Sequence, residues 1–208
     1  MKTVAVLFLF FASIACNAQC PSNKRQIDIV ASYGFITGDE ISEKIAPGDN
    51  SQSNTNIVYN SGASFLTVRY FLYNRLAIGF SWGVTKERWQ YNDPYNPSFS
   101  AHSYKQNSTT GAFEVYYIYV FRKYFEVYTL AGIGASHNTR EEPVFSAGQI
   151  YSTATSSHDV LKAQYTPIGV RAGGRLGAFA ELGIGYKGLL NLGVSFKLGP
   201  SSWWKEEK

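Results

Sequence analysis

Apolar and polar residues alternate along eight segments of the chain, and this pattern predicts β-strands because successive strand side chains point to opposite faces. Segment 190–198 shows it clearly: its even-numbered residues are Leu, Leu, Val, Phe and Leu, and its odd-numbered residues are Asn, Gly, Ser and Lys. The predicted strands are 26–35, 63–71, 76–87, 111–121, 125–136, 164–172, 176–186 and 190–198.

The connections between these strands alternate in length. Long polar segments at 36–62, 88–110 and 137–163 are predicted to be loops. Tight turns are predicted at 72–75, 122–124, 173–175 and 187–189. An up-and-down barrel with loops on one rim and turns on the other has this arrangement, whereas a sandwich has scattered turn lengths.

The two faces of the predicted strands differ in composition. One is a band of Ile, Val, Leu, Phe, Tyr and Trp, and the other mixes Gly, Ser and Thr with isolated charges. In a soluble barrel the apolar face would point inward, and the outer surface would be rich in Gly with few charges. If the charged face points inward instead, the charges can pair with one another across a narrow lumen. We therefore expect an interior charge network of Asp28, Arg69, Glu114, Glu126, Arg171, Glu181 and Lys197.

A strand structure that crosses a bilayer must close on itself, since the hydrocarbon offers no hydrogen-bond partner to an open edge. Strands of about 9–11 tilted residues suffice to cross. The predicted fold is an all-β, eight-stranded antiparallel up-and-down transmembrane β-barrel. Aromatic residues near the segment ends are candidates for the girdle at the membrane interfaces: Tyr33, Tyr70, Phe121, Tyr186, Trp203 and Trp204.

The first eighteen residues have the features of a secretory signal peptide. Lys2 precedes an apolar run at 4–14, and Cys16-Asn17-Ala18 offers small residues before a cleavage site. Cleavage after Ala18 would leave Cys20 unpaired; a lipidated Cys16 is the alternative. We expect a signal peptide at 1–18, a barrel domain at 19–198 and a short periplasmic tail at 199–208.

Composition excludes other classes of protein. The chain has 208 residues, 16% of them charged and 16% aromatic, and its formal net charge is +4. Lys and Arg form no run longer than two, which argues against a nucleic-acid partner. The content of Gly, Tyr and Phe favours sheet over a helical bundle.

The closing stretch 179–198, FAELGIGYKGLLNLGVSFKL, is similar to the end of small outer-membrane barrels of the OmpA/OmpX-like type. This resemblance implies a location in the cell outer membrane, contact with outer-membrane lipid, and recognition of the last strand by the barrel-assembly machinery. Phe196 is the candidate assembly signal. The chain departs from that pattern because ten residues follow Leu198.

An eight-stranded barrel is just wide enough for side chains to fill it, or for one small ligand. We expect the interior charges to form a plug that fixes register; a gated proton or ion path is the alternative. The histidines, His102, His137 and His158, fall in the predicted loops without a spacing that specifies catalysis or metal binding.

We therefore expect neither enzymatic activity nor a cofactor or metal. The predicted role is structural, or surface interaction with an extracellular partner through the segments at 36–62, 88–110 and 137–163. The first alternative is a barrel that binds a small hydrophobic ligand or lipid. The second is a lipid-modifying outer-membrane enzyme, which would use Ser and His residues at the outer rim.

Overall fold

A computed structural model describes residues 24–36, 54–92, 102–146 and 149–199. These residues form eight antiparallel strands, each paired with its neighbours in the sequence, and β8 pairs with β1 to close the ring. The predicted all-β fold of eight up-and-down strands in a closed barrel is confirmed. The strands are β1 (Ile27–Phe35), β2 (Asn54–Phe71), β3 (Leu76–Asn92), β4 (His102–Arg122), β5 (Phe125–Ser146), β6 (Gln149–Gly173), β7 (Leu176–Gly185) and β8 (Leu190–Leu198).

The alternation in sequence becomes an alternation between the outside and the inside of the barrel. Phe113 on β4 is 70% exposed, whereas its neighbour Glu114 is buried. Cross-strand register places Phe113 opposite Phe80, and Glu114 opposite Gly79. Apolar side chains therefore cover the outer surface. The interior holds charged and polar side chains together with two buried apolar clusters, one around Phe71 and one around Phe65. Among the described residues, no helix is long and apolar enough to span a membrane.

Five strands are longer than predicted, and the expected long loops are therefore wrong in extent. β5 and β6 stay paired as far as Ser146 and Gln149, so the predicted loop at 137–163 is almost entirely strand. Residues 54–62, 88–92 and 102–110 are likewise strand. Backbone hydrogen bonds hold these extensions together, and such pairing needs no apolar face. The predicted strands are therefore too short, because apolar alternation stops before the backbone pairing does.

The two rims of the barrel are unlike each other. The turns at 72–75, 123–124 and 174–175 lie at one rim, which we call the turn rim. At the opposite rim, which we call the loop rim, β2 to β6 continue past the closed ring. There β1, β7 and β8 do not extend beyond the closed ring. Beyond this level the sheet is open, and its described edges are β2 and β6.

Two of the predicted girdle aromatics point into the barrel, and their assignment to the membrane interface is wrong. A bulge between Ile118 and Val120 adds a residue to β4, which turns Phe121 inward and leaves it 5% exposed. Tyr186 is also 5% exposed because β7 ends at Gly185 and the chain then turns inward. Tyr33 and Tyr70 do lie on the outer surface.

Several predictions concern segments outside the described residues. These are the signal peptide at 1–18, Cys16 with Cys20, the tail beyond Gly199, and Trp203 with Trp204.

Candidate functional site in the barrel interior

The seven charged residues expected to face the lumen all lie inside the barrel, and each is less than a tenth exposed. Strand register brings some of them together directly. Asp28 on β1 lies opposite Arg69 on β2 and opposite Lys197 on β8, so one carboxylate stands between two cations. The period-two pattern therefore predicted which face of each strand carries these side chains. Closure of the barrel brings the charged faces of different strands into contact across the lumen.

Arg69 lies at the centre of the interior. Its guanidinium nitrogens are 3.4 Å from Glu181, 3.9 Å from Glu114 and 4.0 Å from Asp28. The guanidinium carbon also lies 4.6 Å from the ring centroid of Tyr116, which favours a cation–π interaction. Tyr128 donates a hydrogen bond to Glu181 at 2.8 Å. One cation thus holds carboxylates from three other strands.

Lys187 is an interior residue that the sequence analysis missed. Its ammonium lies 2.5 Å from Glu114 Oε1, and its side chain is 1% exposed. The hydroxyls of Ser81 and Tyr186 donate hydrogen bonds to the same oxygen at 2.5 and 2.8 Å. With Lys187 added to the seven predicted residues, the group has four acids and four bases, and Glu87, which is 4% exposed, is a further buried acid.

The turn between β7 and β8 carries Lys187 into the barrel. The backbone N–H of Leu189 donates to the carbonyl of Phe35 at 3.1 Å, and that of Lys187 donates to Gln164 Oε1 at 2.8 Å. Gly34 permits this approach, since a Cβ there would lie 1.7 Å from the carbonyl oxygen of Lys187. The turn is therefore folded down onto the end of β1, over the loop-rim end of the lumen.

A second cluster lies toward the turn rim. Lys197 pairs with Glu126, and Arg171 lies 4.0 Å from the same carboxylate. Arg171 also donates to the hydroxyl of Ser195 at 2.5 Å and to the carbonyl of Gly174 at 2.8 Å. Arg171 thereby ties β6 to β8 and to its own turn. Charged pairs occupy the lumen both at its centre and toward this rim.

Of the candidate catalytic histidines, His137 and His158 have side chains in the described part of the structure. His137 Nδ1 lies 2.7 Å from Asp159 across the β5–β6 ladder, and both side chains are exposed to solvent. His158 contacts Asn138 at 3.5 Å, and the side chain of His102 lies outside the described part of the structure. Within the described residues, no three His, Cys, Asp or Glu side chains are grouped to hold a metal ion.

Phe196, the candidate assembly signal, lies on the outer surface of β8. It is opposite Ile29 on β1 and Leu176 on β7, in the apolar band.

No family model matches the chain, and no curated protein sequence matches it. Among solved structures, it is similar to the N-terminal β-barrel domain of OprF from Pseudomonas aeruginosa. The two share 14% identity, with 84% of this chain and 98% of that chain covered and a TM-score of 0.44. It is also similar to Ail, the attachment invasion locus protein of Yersinia pestis, solved in complex with the heparin analogue sucrose octasulfate. Here the identity is 13%, the coverage 87% and 100%, and the TM-score 0.46.

Proposed function

We propose that the protein is an integral outer-membrane β-barrel with a structural or surface-interaction role and without an open pore. The observation that carries this proposal is the outer surface, where apolar side chains stand exposed on every strand. Leu66, Phe113 and Ile184 are 50%, 70% and 65% exposed. A soluble monomer rarely exposes a continuous apolar patch of this kind. Hydrocarbon around the barrel would bury the band, and the closed ring leaves no strand edge unpaired within it.

The outer membrane is favoured over other bilayers by two features together. Closed barrels of this kind are typical of outer membranes, and the predicted signal peptide at 1–18 would direct the chain out of the cytoplasm. Tyr33 and Tyr70, exposed on the outer surface, remain candidates for interfacial aromatics.

The absence of an open pore is inferred from the filled interior. Arg69, Tyr116 and Tyr128 lie side by side at the centre, and the Tyr116 and Tyr128 rings are 4.3 Å apart. Ion pairs lie on both sides of this layer. Eight-stranded barrels are filled by their own side chains in this way, whereas porins need about twice as many strands to hold a channel.

The surface role is inferred from the strand extensions at the loop rim. There β2 to β6 continue beyond the barrel, and β6 at 152–159 exposes Ser, Thr, Ala, His and Asp side chains. The edges of this open sheet present backbone groups that another chain can pair with. We infer that an extracellular partner, where one binds, contacts this sheet.

Electrophoresis with and without boiling, combined with flotation of lipid vesicles, tests the membrane proposal. A folded barrel should migrate differently before and after boiling and should float with vesicles after alkaline washing. A single unchanged band, with the protein left in the soluble fraction, would overturn the proposal.

A further inference from the structure

A groove of about 680 Å³ crosses the outer surface of β2 to β5, between two rows of outward-pointing side chains. The row nearer the loop rim ends in Phe113 and Ile133, and the row nearer the turn rim ends in Val115 and Ala131. Ala131 lies in register between Val115 and Tyr165, so its methyl group forms the bottom of a hole among larger side chains. The outer wall of the barrel therefore has a depression at Ala131, which we call the hole.

Beside the hole stands a projecting ring, which we call the knob. It is Phe113, which is 70% exposed and is the most exposed aromatic side chain among the described residues. The ring of Phe80 packs edge-on against it, with the ring centroids 5.4 Å apart and the ring planes at 64°. Phe80 thereby supports the knob in its outward position, which lowers the entropy lost when the ring packs against a partner.

The knob and the hole lie at nearly the same depth in the membrane. Hydrogen-bonded partners climb toward the loop rim from one strand to the next, from Ser32 on β1 inside the ring to Val160 on the extension of β6. With strands about 4.8 Å apart and tilted by roughly 35–45°, Ile133 is nearer the loop rim than its partner Phe113 by about 3 Å. Ala131, two residues back along β5, is about 5 Å nearer the turn rim than Ile133. Phe113 and Ala131 are therefore side by side, about 7–8 Å apart and within about 2 Å in depth.

This arrangement is complementary to a second copy of itself. In a two-fold symmetric interface the same patch faces itself, so a residue of one copy contacts a different residue of the other, and the reverse contact is identical. A two-fold axis along the membrane normal, midway between Phe113 and Ala131, brings each knob opposite the hole of the other copy. Such an axis also keeps both loop rims on the same side of the membrane.

Van der Waals packing has to hold two copies together in hydrocarbon, since lipid chains are as apolar as the side chains they cover. Small residues allow the close approach that such packing needs, and Ala131 is one. The large apolar side chains that line the groove are 41–70% exposed, which amounts to up to about 700 Å² on each copy. A specific interface buries about 800 Å² on each partner, so this face approaches the area that a stable dimer needs.

We propose that the protein forms a homodimer in the membrane, with the outer surfaces of β3 to β5 in contact and each Phe113 ring packed over the partner's Ala131. The dimer rests on the proposed function, since only a barrel within a bilayer has this face in hydrocarbon. Both loop-rim sheets then stand on the same side of the membrane, and an extracellular partner meets two of them.

Native mass spectrometry of the full chain tests the dimer. The protein is refolded in uncharged detergent, with micelles in large excess so that two copies share a micelle only when they bind each other. We expect the unaltered protein to be released as a dimer. F113A removes the knob and A131F fills the hole, so each variant should dimerise roughly tenfold more weakly.

A mixture of the two variants separates specific pairing from a general change of apolar surface. In a mixed dimer of F113A with A131F, one contact is the original knob in its hole, and the other is the same pair reversed. This mixed dimer has its own mass and should form as tightly as the dimer of the unaltered protein. The double variant F113A/A131F should likewise regain self-association. F35A and A180F make the same changes on the outer surfaces of β1 and β7, away from the groove, and should dimerise as the unaltered protein does.

A monomeric unaltered protein would overturn the proposal, and lipid would then cover this face. Self-association of either F113A or A131F at the unaltered strength would overturn it as well, and so would a mixture that pairs no better than each variant alone. Migration before and after boiling and flotation with vesicles are measured on every variant, and F113L or A131L, a smaller change of the same kind, replaces a variant that fails to fold. A barrel that floats but stays monomeric contradicts only the dimer, whereas a chain that fails to float contradicts the proposed function.

Discussion

Arg69 contacts more of the interior than any other single cation described above, and its removal should therefore be costly. Arg69→Ala leaves Asp28, Glu114 and Glu181 buried without their shared guanidinium. Breaking a buried ion pair by removing one partner costs about 3–5 kcal/mol. We expect a loss of that size in the free energy of unfolding, measured by urea titration of the refolded barrel. Lys123→Ala at the exposed turn is the control and should change it by less than about 0.5 kcal/mol. An unaltered urea midpoint for Arg69→Ala would contradict the plug.

Lys187 and Glu114 should behave as an energetically coupled pair. Their 2.5 Å contact is fully buried. Replacing Glu114 removes this carboxylate from Lys187, and replacing Lys187 leaves Glu114 the longer, 3.9 Å contact with Arg69. In a double-mutant cycle of Lys187→Met and Glu114→Gln, the loss of unfolding free energy in the double variant should be smaller than the sum of the two single losses by about 1–3 kcal/mol. Thermal unfolding of the four proteins measures this coupling, and strictly additive effects would contradict it.

Whether the sequence predicted the correct face for a residue depended on the place of that residue in its strand. Asp28 and Glu181 lie in strands that alternate regularly between buried and exposed residues, so the period of two predicted which face they occupy. The same rule failed for Phe121 beyond the β4 bulge, because one inserted residue reverses every later face. Lys187 was not predicted to be an interior residue because it lies in a turn, where no periodicity applies. Its side chain is inside the barrel because that turn packs onto the end of β1.

Among the described strands, the β5–β6 hairpin extends farthest past the barrel, and the sequence did not predict its part at 137–163 as strand. Along 137–163 no apolar face is maintained, although Thr, Tyr and Val there suit strands. The tight turns were predicted well because apolar strands bound them closely on both sides. Membrane-facing alternation therefore marks where the barrel is apolar, and backbone pairing determines how far its strands run.

Shortening this hairpin should leave the barrel intact. Asn138 and His158 are opposite each other, so an Asn-Gly turn in place of 139–157 closes the ladder with a two-residue hairpin. We expect the melting temperature to change by less than about 5 °C. Among the described strands, the removed part of β6 pairs only with β5, and the removed part of β5 pairs otherwise only with β4 at 105–107, above the barrel. The same turn placed between Leu130 and Thr166 cuts into the barrel wall and should abolish folding. Loss of folding in the first variant would show that the extensions support the barrel.

At the scale of the whole molecule, ion-paired charges and buried rings lie inside the barrel, and apolar side chains cover its outer surface. Such a core should block solutes, because the ion pairs and the Arg69–Tyr116–Tyr128 layer fill the lumen that eight strands enclose.

Conductance of planar bilayers measures this directly. The unaltered protein should add no steady ionic current, whereas the variant Tyr116→Ala/Tyr128→Ala removes two buried rings and should add one. Phe113→Ala/Phe80→Ala removes two rings from the outer surface instead and should leave the bilayer as resistant as before. The conductance of Tyr116→Ala/Tyr128→Ala is interpreted only if this variant still migrates as a folded barrel before boiling. A steady porin-like current from the unaltered protein would mean that the charged interior conducts, and the gated ion path would then replace the plug as the account of these residues.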